Sequence, residues 1–494
     1  MANPLGPSRP QSPQPAADPH AADDPEGSPA LPAASLGAAA GADELQAPAL
    51  ASGEGYADIW RLSWPVTLNL AVVNVVSLID IAMLGRLGAS AMAAAGYTQQ
   101  FYFLSSSVLF AVGAACVALM SRAIGADNVV RARHALAASL LISLGAAIAI
   151  VLALALPAPT WLALLGADRE VMALTIPYMN LVLGSTLPLA LAMTFEFGLR
   201  ADQDTRTPLL IAVAVSAVKT LGNLLLIFGW LGFPRLELVG AGIATLVSQI
   251  LGLACILLVV ARRPRQSPLA VRARDFRAAA PLARDVVRLS LPGLGERLAM
   301  NLALLAYFRI LADYGTAAIA AYTVGIRVLS FSWLPGSGFG VAASTLVGQS
   351  LGAGDPDAAY RVGWRSLRLA VAVAIVLGIP CALARTPLAH LFVEDAATVA
   401  ALEPFLLCLA LAQPFLQAHF ALGGAHRGAG DTLTPFFAAA AGNWALRLPL
   451  ACLFAYAWQL PLMWVWYALL FDHVTRTAWL AWSFRRGRWR HARA

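Results

Sequence analysis

The 494-residue chain reads as an all-α integral membrane protein, two copies of a six-helix unit, and three observations carry that fold class. Hydrophobic residues make up 59% of it and charged residues 12%, whereas a soluble domain carries about 25% charged residues. Apolar runs of about 20 residues, the length that crosses hydrocarbon as a helix, recur between short polar turns. The sequence also matches itself, without gaps, at a shift of 227 residues. That shift carries Arg61-Leu62-Ser63-Trp64-Pro65 onto Arg288-Leu289-Ser290-Leu291-Pro292, and Asn74 onto Asn301. It carries Gly88 onto Gly315, Gly113 onto Gly340 and Gly125-Ala126 onto Gly352-Ala353. Asp204-Thr205-Arg206-Thr207-Pro208 falls on Asp431-Thr432-Leu433-Thr434-Pro435.

In chain order, residues 1–55 stand apart, dense in Pro, Ala, Gly and Ser, with seven acids against Arg9. Such a segment buries too little apolar surface to offset its chain entropy, so a disordered tail is expected, either functionless or regulatory. It lacks the basic start and apolar core of a secretory signal. The N-lobe, 56–262, then holds predicted spans at 59–84, 89–122, 132–157, 169–198, 207–230 and 238–262. An Arg-rich linker follows at 263–284. The C-lobe, 285–485, holds spans at 286–311, 316–350, 361–384, 397–425, 434–457 and 461–483, before a basic tail at 486–494. The runs are too long for barrel strands and lack their alternation, so they are helices. Two such bundles facing a cleft form a common secondary-transporter design.

The arginines set the orientation. With the N-terminus in the cytoplasm, Arg122, Arg131, Arg133, Arg200 and Arg206 lie inside, with eight arginines at 262–288. Arg361, Arg365, Arg427 and the C-terminal arginines join them, while the opposite loops carry scattered charges such as Arg86, Arg169, Arg235 and Arg385. That is the positive-inside pattern. The net charge of +7 therefore reports topology and contact with anionic membrane lipids rather than nucleic-acid binding. The five cysteines lie within predicted helices without metal-type spacing and read as packing residues.

No HExxH, P-loop, GxSxG or His/Cys cluster is present, so no enzyme, no cofactor and no structural metal is expected, and uphill transport would need an ion gradient. Interest falls on ionisable residues inside the apolar spans, each costing roughly 2.5–3.5 kcal/mol to insert unless paired or wet. In the N-lobe these are Asp80, near the outer end of span 1, Lys219 in span 5, and Glu196. Asp80 is either a cation-binding carboxylate or a helix-end aspartate that meets water. Lys219 is the only lysine of the chain, and Asn223 lies one turn along on the same face. It is either a displaceable counter-charge to Asp80 or a permanent ion pair. Glu196 is spaced to pair with Arg200. In the C-lobe, Glu296 is a cation site or a partner of Arg297 or a nearby loop. Arg309 and Asp313, spaced i, i+4, satisfy each other. Arg447 either caps carbonyls freed by Pro449 or lines the cavity. Pro65 and Pro292, at equivalent sites of spans 1 and 7, each remove a backbone hydrogen bond and offer a bend or a fixed kink, as does Pro335-Gly336-Ser337-Gly338.

Several of these segments resemble the multidrug and toxic compound extrusion (MATE) transporters over residues 56–485. They are Asp80-Ile81-Ala82-Met83-Leu84-Gly85-Arg86-Leu87-Gly88, Leu199-Arg200-Ala201 with Asp204-Thr205-Arg206-Thr207-Pro208, Gly348-Gln349-Ser350-Leu351-Gly352-Ala353, and Arg427-Gly428-Ala429-Gly430-Asp431-Thr432. The resemblance implies V-shaped lobes in the cytoplasmic membrane, a monomer, and export of a small organic, often cationic, substrate as H⁺ or Na⁺ enters. It implies that Asp80 binds the coupling cation, that Asn223, before Ile227-Phe228-Gly229, belongs to the same site, and that Pro65 is the bending proline. Departures are equally plain. Met300 stands where an acid is common, Leu416 where some Na⁺-coupled members place an aspartate, and Lys219 where a neutral polar residue is usual. A lysine beside Asp80 would repel Na⁺, which favours H⁺ as the coupling ion while leaving Na⁺ at Asp80 and Asn223 open. The rival is a flippase for lipid-linked precursors, whose cationic cavity Lys219, Arg309 and Arg447 would have to supply. The repeat does not extend to the charges: Asp80 maps onto Tyr307, Lys219 onto Leu446, Glu196 onto Gly423, Glu296 onto Asn69 and Arg309 onto Ala82.

Overall fold

The computed structural model describes residues 55–492. The expected N-terminal tail and the last two residues lie outside the described residues. Twelve helices follow the predicted spans: α1 Tyr56–Gly85, α2 Ala89–Gly125, α3 Val129–Ala155, α4 Arg169–Ala201, α5 Arg206–Phe228 and α6 Glu237–Arg262 form the first set. The second set is α7 Ala280–Ala312, α8 Thr316–Gly352, α9 Pro356–Leu383, α10 Ala396–Gly428, α11 Leu433–Ala457 and α12 Leu462–Arg486. There is no strand among the described residues. Within the linker expected at 263–284 a short helix occupies Ala273–Ala278, and α7 begins at Ala280.

Nine of the described helices are long and apolar enough to cross a membrane, and a tenth if the two arms of α8 count as one span. The remaining two, α7 and α12, are helical over their predicted spans but less apolar. Glu296, Arg297 and Asn301 dilute one, and Asp472, His473 and Arg476 the other. Side-chain caps start three helices at their exposed ends: Asn128 accepts from the Arg131 amide, Asp355 from Ala358 and Asp395 from Thr398.

Breaks fall where the chemistry of the chain puts them. The arms of α8, Thr316–Val328 and Trp333–Gly352, meet at 44°. Pro335 has no N–H for the carbonyl four residues back, which lies in that junction. Helix α4 is interrupted at Ser185, whose hydroxyl donates to the Val182 carbonyl at 2.6 Å. Helix α11 widens into π-helical stretches at Ala441–Arg447 and Leu453–Ala457, either side of Pro449. Such wide turns are rare and often mark functional sites.

The repeat is visible in the packing. Helix α1 packs on α8, and its counterpart α7 packs on α2, so the four helices joining the lobes are related in pairs by the 227-residue shift. The equivalent helices α2 and α8 cross each other at Gly125 and Gly352, themselves equivalent. A Cβ at Gly125 would stand 1.9 Å from the Gln349 carbonyl oxygen, and one at Gly352 2.1 Å from that of Arg122. No larger residue fits that backbone crossing. Around it, Gln203 Nε2 donates to Gln349 Oε1 at 2.5 Å, Gln349 Nε2 to the Ala201 carbonyl at 2.8 Å, and Thr345 Oγ1 to the Arg200 carbonyl at 3.1 Å. By helix alternation this seal is on the side where α1 starts and α6 and α12 end.

Candidate functional site

Asp80 is carried one and a half turns before the end of α1, and Lys219 and Asn223 project one turn apart from α5, which packs on α1. Lys219 Nζ donates to Asp80 Oδ2 at 2.5 Å, and Asn223 Nδ2 to Asp80 Oδ1 at 2.7 Å. The three predicted residues thus form one cluster, and both carboxylate oxygens are engaged. Asp80 and Lys219 keep 15% and 24% of their side-chain surface, so the pair is reachable rather than sealed. Asn223 is buried, and its Oδ1 has no protein donor among the described residues. The side chains of Tyr102 and Tyr178 lie within Coulombic range of Asp80.

These donors can hold a proton or a monovalent cation. A proton needs one Asp80 oxygen; Na⁺ could use Asp80 and Asn223 Oδ1 but would have to displace the ammonium of Lys219. No group of three His, Cys, Asp or Glu side chains converges among the described residues.

The C-lobe carries a second polar centre, largely missed from sequence. Arg447 neither caps the Pro449 break nor stands open in a cavity; its Nη2 lies 2.6 Å from Asp472 Oδ2. Arg476 closes on the same carboxylate, Nε 2.5 Å from Oδ1 and Nη2 2.6 Å from Oδ2. Asp472 is fully buried. Gly442, in the first π-helical stretch, is required here, because a Cβ would stand 2.1 Å from Asp472 Oδ1. Two guanidinium groups face one carboxylate, leaving an excess positive charge inside the helices. Asn443 Nδ2, Arg447 Nε and His473 Nδ1 are buried without a protein partner among the described residues. The rings of His419 and His473 stack at 5.5 Å beside them. The signal was available for half of this centre: Asp472 and Arg476 have the same i, i+4 spacing that marks Arg309 and Asp313.

The other predicted residues stand apart. Glu296 pairs with Arg427 of α10 at 3.4 Å, not with its neighbour Arg297, whose guanidinium lies over the Phe110 ring at 4.1 Å. Arg309 and Asp313 pair at 2.5 Å on an exposed surface, joined by the Tyr456 hydroxyl, and these hydrogen bonds hold the Asp313 carboxyl below the usual carboxylate range. Arg309 thus has its acidic partner in Asp313. Glu196 meets Arg200 at 3.5 Å as its spacing predicts. Pro65 and Pro292 lie inside α1 and α7, leaving the carbonyls of Arg61 and Arg288 without an amide donor. Beside the seal, Arg263 bridges Asp202 and Asp204, and burial pushes the Asp202 carboxyl up to about 6.

Comparison with known proteins gives one answer. The MatE family model matches residues 65–225 and 292–453, so its two matches start at Pro65 and at the equivalent Pro292. A probable multidrug resistance protein NorM of Thermotoga maritima is 25% identical over 442 residues, 87% of this chain and 92% of the relative. Another from Bradyrhizobium diazoefficiens is 29% identical over 416 residues, 83% of this chain and 89% of the relative. A FAD transporter of Shewanella oneidensis is 28% identical over 351 residues, 71% of this chain and 77% of the relative. Among solved structures, the Vibrio cholerae MATE transporter VcmN in its bent form superposes with a TM-score of 0.80 at 21% identity, over 88% of this chain and 98% of that one.

Proposed function

From the premise that this chain belongs to the MatE family, and is a multi-pass membrane transporter of that kind, we propose that it is an antiporter that exports a small organic cation as H⁺ enters through Asp80. The observation that carries the reading is the double engagement of Asp80 by Lys219 and Asn223. With Asp80 ionised, the pair with Lys219 is neutral overall and tolerable between membrane helices. An arriving proton neutralises the carboxylate and leaves Lys219 as a bare cation, costly in a low-dielectric site. The N-lobe then gains one positive charge, which repels a cationic substrate and frees Lys219 to turn toward water. Na⁺ would produce the same change by displacing the ammonium. The seal at Gly125 and Gly352 supports alternating access, since it closes one end and must part for substrate to enter from that side. The arginine distribution supports a cytoplasmic location for that end and for both termini, in the cytoplasmic membrane; the reading takes the chain to act as a monomer.

The test is ethidium efflux from proteoliposomes under separate pH and Na⁺ gradients. The wild type should respond to the pH gradient and Asp80→Asn should not. Undiminished pH-driven efflux by Asp80→Asn would sink the coupling role. A second reading, export of an anionic substrate, is favoured by the excess guanidinium charge at Arg447 and Arg476 and by the likeness to the FAD transporter. Competition of ethidium efflux by flavin nucleotides separates the two: inhibition that vanishes in Arg447→Gln favours the anionic substrate.

A further inference from the structure

A cavity of about 530 Å³ opens at the seal end of the bundle, lined by Tyr360, Arg361, Trp364, Arg365 and Arg368 of α9 and by Arg485 of α12. Every lining residue is basic or aromatic. Among the described residues, acids pair with this basic surface at the start of α9, where Asp355 lies 3.8 Å from Arg361 and Asp357 is held by Arg490 at 3.1 Å. The floor is rigid. Tyr360 stacks on Phe484 at 5.8 Å, Trp364 meets the same ring edge-on at 6.2 Å, and Gly363 admits that ring where a Cβ would stand 2.3 Å from its Cζ. The buried Trp364 Nε1–H has no protein acceptor among the described residues.

The arrangement has a direction. Tyr360, Trp364 and Arg368 follow one face of α9, and eight residues of helix rise about 12 Å, enough to pass through one headgroup layer into the hydrocarbon. Farther along α9 the same face carries Ile375 and Ile379, 44% and 54% exposed. Guanidinium groups that form paired hydrogen bonds with phosphate oxygens are thus continuous with an uncovered aliphatic strip. A soluble phosphate would use the first half of this surface only.

We propose that this cavity binds the phosphate of an anionic phospholipid, with the acyl chains lying along Ile375 and Ile379. The inference requires the chain to lie in a membrane, and it stands whether or not the coupling scheme at Asp80 does. It would tie α9 to α12 at the end where the lobes are sealed.

Native mass spectrometry of the full chain tests it, with phosphatidylglycerol, phosphatidylcholine and inorganic phosphate as separate probes. The wild type should hold phosphatidylglycerol in preference to phosphatidylcholine. The triple variant Arg361→Gln, Arg365→Gln, Arg368→Gln should lose that preference by at least about tenfold in affinity. The triple arginine-to-lysine variant, kept charged in case the glutamine variant fails to fold, should keep part of it. Arg272→Gln, Arg274→Gln, Arg277→Gln removes equal charge from the linker and should bind as the wild type does. Equal loss in both glutamine variants, or none in either, overturns the site. Displacement of the lipid by millimolar inorganic phosphate overturns the lipid assignment in favour of a soluble phosphate ligand.

Discussion

Lys219, the only lysine in the chain, places its ammonium 2.5 Å from the Asp80 carboxylate across the α1–α5 interface. A lysine is suited to being displaced: it is a point charge on a flexible stem, whereas arginine would lock the carboxylate in a planar fork. Lys219→Arg should therefore fold normally yet export at least about tenfold more slowly, because the coupling cation cannot dislodge a bidentate partner. Lys219→Gln should keep a slower, less pH-dependent export. Equal rates for the lysine and arginine proteins in a proteoliposome efflux assay would remove displacement from the scheme.

The seal between the lobes predicts a sharp size limit. Gly125→Val and Gly352→Val each place carbon within about 2 Å of a carbonyl oxygen of the facing helix, so the crossing must open. Both variants should lose most export activity while inserting normally, and cysteine probes near Gln349 should label faster. Gly145→Val is the control, since a Cβ there meets nothing within 4 Å.

The C-lobe centre predicts an asymmetric response to neutralisation. Asp472→Asn leaves two buried guanidinium groups facing each other, and removal of one partner from a buried ion pair costs about 3–5 kcal/mol. The expected result is a large fall in thermal stability in detergent. Asp313→Asn, which breaks the exposed pair with Arg309, should change stability far less. Comparable losses for the two variants would contradict the buried, net-positive character of the centre.

Asp202 gives a pH-dependent prediction. Its carboxyl is raised from the usual 3.8 to about 6, first by burial and then by Asp204, against the pull of Arg263. Between those values the folded chain holds a proton that the unfolded chain has released, so stability falls as pH rises through the window. The effect is at most about 3 kcal/mol. Asp202→Asn should flatten the change in melting temperature between about pH 5 and pH 7, which bracket the folded carboxyl's value of about 6. An unchanged slope would place the titration elsewhere.

Much of the site was legible because its members obey local rules. Asp80 stands out as a carboxylate after an apolar run, and Lys219 and Asn223 share a face through their spacing. Arg309 with Asp313, and Glu196 with Arg200, were readable for the same reason. The pairing of Arg447 with Asp472 was not, since those residues lie on different helices and no spacing rule connects them. The partner of Glu296 was not legible for a related cause: its sequence neighbour Arg297 turns away to Phe110, while Arg427 arrives from α10. The repeat also imposed the same left-handed backbone on unlike residues, Gln203 with φ 61° and its counterpart Gly430 with φ 84°.

The amino-acid sequence by itself determined the number and length of the helices, their membrane placement and their two-copy arrangement. Those follow from hydrocarbon thickness and from the need to satisfy backbone hydrogen bonds inside each segment, which are properties of one helix at a time. Only the tertiary structure decided which charges meet and where the lobes close. A helix turns about 100° per residue, so a small rotation or sliding of one against another exchanges every contact on its face. Packing fixed that rotation, bringing Lys219 to Asp80, two arginines to Asp472, and Gly125 against the backbone of Gln349.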